Sequence, residues 1–366
     1  MKVLIAPLDW GLGHSTRCIP IIKYLNSISC DVIIAADGIQ LYLLQKEFPT
    51  LQFVKSTGYG ITFSTTATKT FIKILCQIPK ILISINRESS WLKDFLLKND
   101  IDFIISDNRY GLFSRNVPAV FITHQLTIKT SFGRVLENTL RKINYYYISK
   151  FTECWIPDFA GENNMGGKLS HPDSMPSIPV KYLGRLSRIV EAAPSAKETK
   201  LLIILSGPEP QRSIFEQILL IQLNDYNEAT VLVRGLPGEE KPLVNSKENL
   251  LIYNHLTAED LNQFINAAKI IISRSGYSTV MDLIGLNKKC IFVPTPGQPE
   301  QEYLANYLSS KKICLSYKQN NINLGKAIRE ANSFDFTNFK TVRDDQYKKV
   351  ITDFIKGLAV NNKTVQ

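Results

Sequence analysis

A chain of 366 residues is long enough for two domains, each with a sizeable core. Hydrophobic residues at 44% and charged residues at 21% place it with soluble globular proteins, and no apolar run is long enough to span a bilayer. The net charge of +10 asks for an anionic partner or surface: nucleic acid, anionic lipid or an anionic substrate.

In chain order, apolar strand-like runs at 3–7, 31–36, 101–106 and 117–122 alternate with helical stretches. Such alternation predicts a parallel sheet covered on both faces. The run at 3–7 leaves no room for a signal peptide ahead of it, and a cytoplasmic protein is expected. "PLDWGLGHST" (7–16) then places Gly11, Gly13 and His14 where the first strand becomes the first helix. Glycines there permit a tight turn, and they also let backbone N–H groups approach a ligand at a helix start. "SDNR" puts Asp107 after the strand at 101–106, and "THQL" puts His124 and Gln125 after the strand at 117–122. From Arg109 to Lys150 seven basic residues face one acid, Glu137, beside Tyr145-Tyr146-Tyr147. This is either a binding surface or a solvated basic face. "KTFIKILCQIPKILISINR" (69–87) carries apolar residues at 71, 74, 75, 78, 82 and 85 among basic ones. That pattern suits an interfacial helix or one packed on the sheet.

"GRLSRIVEAAPSAKETK" (184–200) is rich in small and charged residues and reads as a linker. The expected division is 1–184, a linker at 185–199, and 200–366, with the last helix packing back on the first domain. A second strand series follows at 201–205, 229–233, 250–253, 269–273 and 289–293, with helical patterns at 258–268 and 299–310. "LSGPEPQR" (205–212), with Gly207, follows its opening strand. "SRSGYSTVMDL" (273–283) and "VPTPGQPEQEYLAN" (293–306) follow two later ones. Taken singly these are loops, caps and first-turn residues. Together, after successive strands, they suit a ligand site at the carboxyl ends of a doubly wound sheet. Arg274, Ser275, Gly276, Ser278 and Thr279 offer donors at a helix start, which is chemistry for a diphosphate. Asp282, one turn on, can accept from ribose hydroxyls. The six cysteines show no CxxC pairing or metal-ligand spacing and read as reduced thiols.

The stretch "ISRSGYSTVMDLIGLNKKCIFVPTPGQPEQEYLANYL" resembles the nucleotide-sugar signature of GT-B glycosyltransferases. It is most similar to the family 28-like group that adds N-acetylglucosamine to a lipid-linked muropeptide. "GLGHS", "THQ" and "YLGRLSR" (182–188) are similar to motifs of that group's acceptor half. The chain departs from the pattern in four places. It has "SGPEPQR" for a glycine-rich "GGSQGA", Asp282 for Glu, Gln301-Glu302 for paired glutamines, and "GLGH" for "GxGGH".

The resemblance implies two doubly wound Rossmann-like domains facing across a cleft. The second binds a nucleotide-diphospho-sugar, UDP-linked, through Gly207, Arg274, Ser275, Gly276, Ser278, Thr279 and Asp282, with Gln301 and Glu302 near the sugar. The first binds the acceptor, small or lipid-linked, with Gly11, Gly13 and Gln125 lining it. Transfer is inverting and uses no essential metal or other cofactor. In the order 3-2-1-4-5 the first strand lies beside the fourth, so His14 and Asp107 should emerge side by side. A carboxylate there would raise the imidazole's basicity and make His14 the base, with His124 competing for the role. An epimerase of the same fold and a non-catalytic sugar-nucleotide sensor stay open. Docking on an anionic membrane surface is expected, and nucleic-acid binding is not, because no recognised module is present.

Overall fold

The computed structural model describes residues 1–9, 12–56, 58–60, 67–192, 199–245, 247–338 and 345–364, without the side chains of 67–76 and 361–364. Gly11 and residues 193–198 of the expected linker lie outside the described residues. So do the side chains at 71, 74 and 75 of the 69–87 stripe.

The chain divides into two compact units. One comprises Met1–Tyr59, Lys80–Ser187 and Lys340–Gln366, and the other Gly60–Pro79 and Arg188–Phe339. The chain's last segment groups with the first unit, and the division differs from a cut at the linker in that residues 60–79 group with the second.

The first unit runs β1 (Lys2–Pro7), α1 (Leu12–Ser27), β2 (Asp31–Ala36), α2 (Gly38–Glu47), β3 (Gln52–Lys55), the part of α3 (Ala67–Leu96) from Lys80 on, β4 (Phe103–Asp107), β5 (Ala119–Ile122), α4 (Arg134–Ile148), β6 (Glu153–Ile156) and β7 (Val180–Tyr182). Among the described residues these strands form one parallel sheet in the order β3-β2-β1-β4-β5-β6-β7. Strands such as β4 and β5 are buried at every position, as a sheet covered on both faces requires. The winding reverses between β1 and β4, where the register sets Pro7 opposite Asp107.

The second unit runs β8 (Thr199–Ile204), α5 (Gln211–Leu223), β9 (Thr230–Val233), β10 (Leu250–Tyr253), α6 (Ala258–Ala267), β11 (Ala268–Ser273), α7 (Tyr277–Ile284), β12 (Lys289–Phe292), α8 (Pro299–Ser310), β13 (Leu315–Ser316) and α9 (Leu324–Ser333). Its sheet has the order β10-β9-β8-β11-β12-β13, again parallel, and reverses between β8 and β11. Phe215, Leu219, Ile272 and Ile291 sit in its core.

The terminal helix α10 (Gln346–Thr364) belongs to the first unit. Ile351, Phe354 and Leu358 join a cluster with Phe103, Trp155 and Leu186. No described helix is long and apolar enough to cross a membrane.

Candidate functional site

In the first unit the candidate residues gather at the β1/β4 reversal, where open α/β sheets hold ligands. α1 begins at Leu12, so Gly13 and His14 lie in its first turn. His14 Nδ1 stands 3.3 Å from both carboxylate oxygens of Asp107, the last residue of β4. His124, just past β5, is buried close by. Gln125 turns its backbone inward: its N–H donates to Thr123 Oγ1 and its carbonyl accepts from Asn144 Nδ2.

The residue that organises this cluster is Arg17, three positions after His14 on α1. Its Nε donates to Asp107 Oδ2 at 2.7 Å, and its Nη2 donates to Asp107 Oδ1. The same Nη2 lies 2.8 Å from His14 Nδ1, and Nη1 lies 2.9 Å from His124 Nδ1. Only the i, i+3 spacing of His14 and Arg17 on one helix face could have signalled this from sequence.

The electrostatics correct the expectation of a carboxylate-activated base. Burial first, then the Arg17 guanidinium, lower the His14 pKa below the usual histidine value, and Asp107 only partly opposes them. Burial alone would raise Asp107. The Arg17 and His14 partners overcome it and hold that carboxyl well below the usual carboxylate range. Cys18, with Sγ 3.7 Å from Asp107 Oδ2, is pushed up by burial and by that carboxylate.

The basic excess from Arg109 to Lys150 is partly structural. Arg109 is buried and donates to Glu88 Oε1 at 2.7 Å, and Lys129 pairs with Glu137 at 3.0 Å. Lys150 lies over the rings of Tyr146, Tyr147 and Phe113. Arg115, Arg134 and Lys142 remain exposed.

In the second unit the loops after β8, β11 and β12 carry the other candidates. Gly207, at φ +102, takes a conformation that favours glycine, and a Cβ there would lie 3.5 Å from Thr295 Oγ1. Gly276 is the N-cap of α7 and brings no side chain to cover the helix start. Ser278, Thr279 and Asp282 follow at helical spacing, each partly exposed. Ser278 and Asp282 are four apart and so share a face.

Three expected ligand contacts turn inward instead. Arg274 is fully buried. Its Nη1 donates to the carbonyls of Val293 and Pro294, and its Nη2 to the Gln211 carbonyl and to Gln319 Oε1 at 2.6 Å. Its guanidinium carbon lies 4.3 Å from the centroid of the Phe215 ring, and burial brings its pKa down to about 9. Ser275 Oγ donates to the Gln301 carbonyl at 2.8 Å, and Gln301 Oε1 accepts the Thr295 backbone N–H at 2.9 Å. These side chains brace the loops, because buried polar groups must be satisfied by whatever lies nearest. Glu302 is exposed, and its Oε1 accepts from Gly297 N–H at 3.3 Å. Thr295 was not singled out from sequence; its buried Oγ1 has no hydrogen-bond partner. The chain's one Asp-x-Asp triplet, Asp100-Ile101-Asp102, precedes β4 at the end of the sheet away from His14.

Comparison with known proteins agrees with this architecture. Residues 189–355 match the glycosyltransferase family 28 C-terminal domain. The chain is 25% identical over 323 residues to an uncharacterized glycosyltransferase of Methanosarcina acetivorans, covering 82% of each chain. It is 23% identical over 317 residues to the UDP-N-acetylglucosamine--N-acetylmuramyl-(pentapeptide) pyrophosphoryl-undecaprenol N-acetylglucosamine transferase of Bacillus pumilus, covering 81% of this chain and 79% of that one. In fold it is similar to the glycotransferase of kitacinnamycin, at 11% identity and a TM-score of 0.62 over 98% of this chain and 95% of that one. The chain is thus a glycosyltransferase of GT-B architecture whose residues 189–355 are similar to the family 28 C-terminal domain.

Proposed function

We propose that this glycosyltransferase takes its sugar from a UDP-linked donor held by the second unit and delivers it, with inversion, to a hydroxyl of an acceptor held by the first. The observation that carries the reading is the start of α7 at the β8/β11 reversal. An N-cap with no side chain, Gly276, is followed by Ser278, Thr279 and Asp282, all reachable from solvent. The positive end of the helix suits a diphosphate and stabilises the charge that grows on it as it leaves. Asp282 accepts the ribose hydroxyls. In a single displacement the acceptor oxygen attacks the anomeric carbon, the bond to the diphosphate oxygen breaks, and the acceptor proton passes to His14. N-acetylglucosamine is the sugar of the Bacillus pumilus relative and the first to try.

Asp282→Ala should weaken UDP binding by roughly 1–3 kcal/mol, the range for a lost hydrogen bond to a charged acceptor. Calorimetric titration of the variant reads this directly, and unchanged affinity would remove Asp282 from the site. Consumption of the UDP-sugar with no acceptor present would instead favour epimerisation or hydrolysis.

A lipid-linked acceptor belongs to the same proposal. In the described part of α3, Ile78, Leu82 and Ile83 are exposed beside Lys80 and Arg87, while Ile85 is buried. That is an apolar strip with basic neighbours, suited to an anionic bilayer surface. The chain should co-sediment with vesicles containing anionic lipid at low salt and release as salt rises. No binding at low salt would contradict docking.

A further inference from the structure

The cluster at the β1/β4 reversal places two hydrogen-bonding groups on one ring nitrogen. His14 Nδ1 lies 2.8 Å from Arg17 Nη2 and 3.3 Å from each oxygen of Asp107. A guanidinium only donates, so the shorter contact makes Nδ1 an acceptor and leaves the ring proton on Nε2. An Nδ1–H would instead meet an N–H head-on at 2.8 Å. His124 Nδ1 stands in the same relation to Arg17 Nη1 at 2.9 Å.

We propose that Arg17 is a positioning residue that sets the tautomer of both histidines: seated on the two Nδ1 atoms, it makes each ring a hydrogen-bond donor at Nε2. His14 has the Asp107 carboxylate beside its Nδ1, so it has a second tautomer prepared. When Arg17 withdraws from Nδ1, a proton arrives there from solvent and bonds to Asp107 as the Nε2 proton departs. The ring's net charge is unchanged, and Nε2 becomes the free base. This step rests on the glycosyltransferase reading only for its purpose, since the tautomers are a property of the substrate-free protein.

The groups facing His14 are Arg17 on α1, Asp107 on β4 and His124 after β5, and Cys18 of α1 lies against Asp107. Arg17 is 3% exposed and neutralises Asp107, so it holds the cluster's charge as well as its protons. Removing the guanidinium leaves Asp107 unopposed at Nδ1, which favours both the Nδ1–H tautomer and a higher His14 pKa.

The test is a long-range proton–nitrogen correlation spectrum of the whole chain labelled with ¹⁵N-histidine, without substrate. The sequence has four histidines, and His14→Gln and His124→Gln assign the two rings. At neutral pH, both should show a pyridine-type Nδ1 and a pyrrole-type Nε2. In Arg17→Gln, the His14 Nδ1 should become pyrrole-type and its titration midpoint should rise. With an acceptor in hand, the acid limb of the pH–rate profile should move to higher pH. Arg17→Lys, which keeps the charge, should leave that limb closer to the wild-type position. A wild-type spectrum with the proton on His14 Nδ1 overturns the proposal whether or not Arg17→Gln folds, as does a folded Arg17→Gln with unchanged tautomers. Loss of transfer activity with the expected spectra would count against the catalytic reading alone.

Discussion

His14→Ala should cut sugar transfer by roughly 10²–10⁴-fold, the span that a positioned general base contributes, while UDP binding to the second unit stays within error of wild type. The effect is large because the acceptor hydroxyl is a weak nucleophile until its proton has a destination. The lowered pKa of His14, caused first by burial and then by Arg17, adds a sign. The ring stays neutral through the physiological range and becomes protonated only below its ordinary value near 6.5. Transfer should therefore be flat near neutrality and fall only at acid pH. Steady-state kinetics against pH measures this. Near-normal turnover in the variant would move the base to His124.

Phe354→Ala should destabilise the first unit by about 3–5 kcal/mol, the usual cost of removing a buried aromatic ring. Phe354 is 8% exposed, and its ring meets those of Phe103 at 5.6 Å and Trp155 at 5.5 Å, both edge-on. Those partners stand on β4 and β6, and the same cluster holds Val120 and Ile122 of β5, so the last helix of the chain closes the core beneath the strands that lead to Asp107 and His124. Unfolding in denaturant, followed by tryptophan fluorescence, should show the loss. A change below about 1 kcal/mol would mean that α10 packs without contributing to the core, contrary to its burial.

The architecture was legible because β1, β2, β4 and β5, and β8 to β12, are apolar runs, most of them set between helical stretches, although among the described residues no helix stands between β4 and β5 or between β9 and β10. Once the doubly wound order is assumed, the neighbouring of β1 and β4 follows. The shorter strands were not legible. β3 is half exposed, β7 has three residues and β13 two, which is too little for a hydrophobic pattern. Gly13, His14 and Asp107 were visible as residues at or just after strand ends. Arg17 was not, because a basic residue inside a helix reads as solvated until a buried carboxylate appears opposite it. Arg274 misled in the opposite way. An arginine after a strand suggests a ligand, yet nearby carbonyls, Gln319 and the Phe215 ring occupy both terminal nitrogens and one face of its guanidinium indoors, leaving only the buried Nε without a partner.

A thermal-shift screen of UDP-, TDP- and GDP-linked sugars on the wild-type chain and on Asp282→Ala tests the donor assignment most directly. A ligand present at a hundred times its Kd stabilises the folded state by about 2.7 kcal/mol. The account predicts that UDP and at least one UDP-sugar raise the melting midpoint of the wild-type chain, and that the shift shrinks in Asp282→Ala. No shift with any nucleotide-sugar, or an equal shift in both proteins, would contradict it.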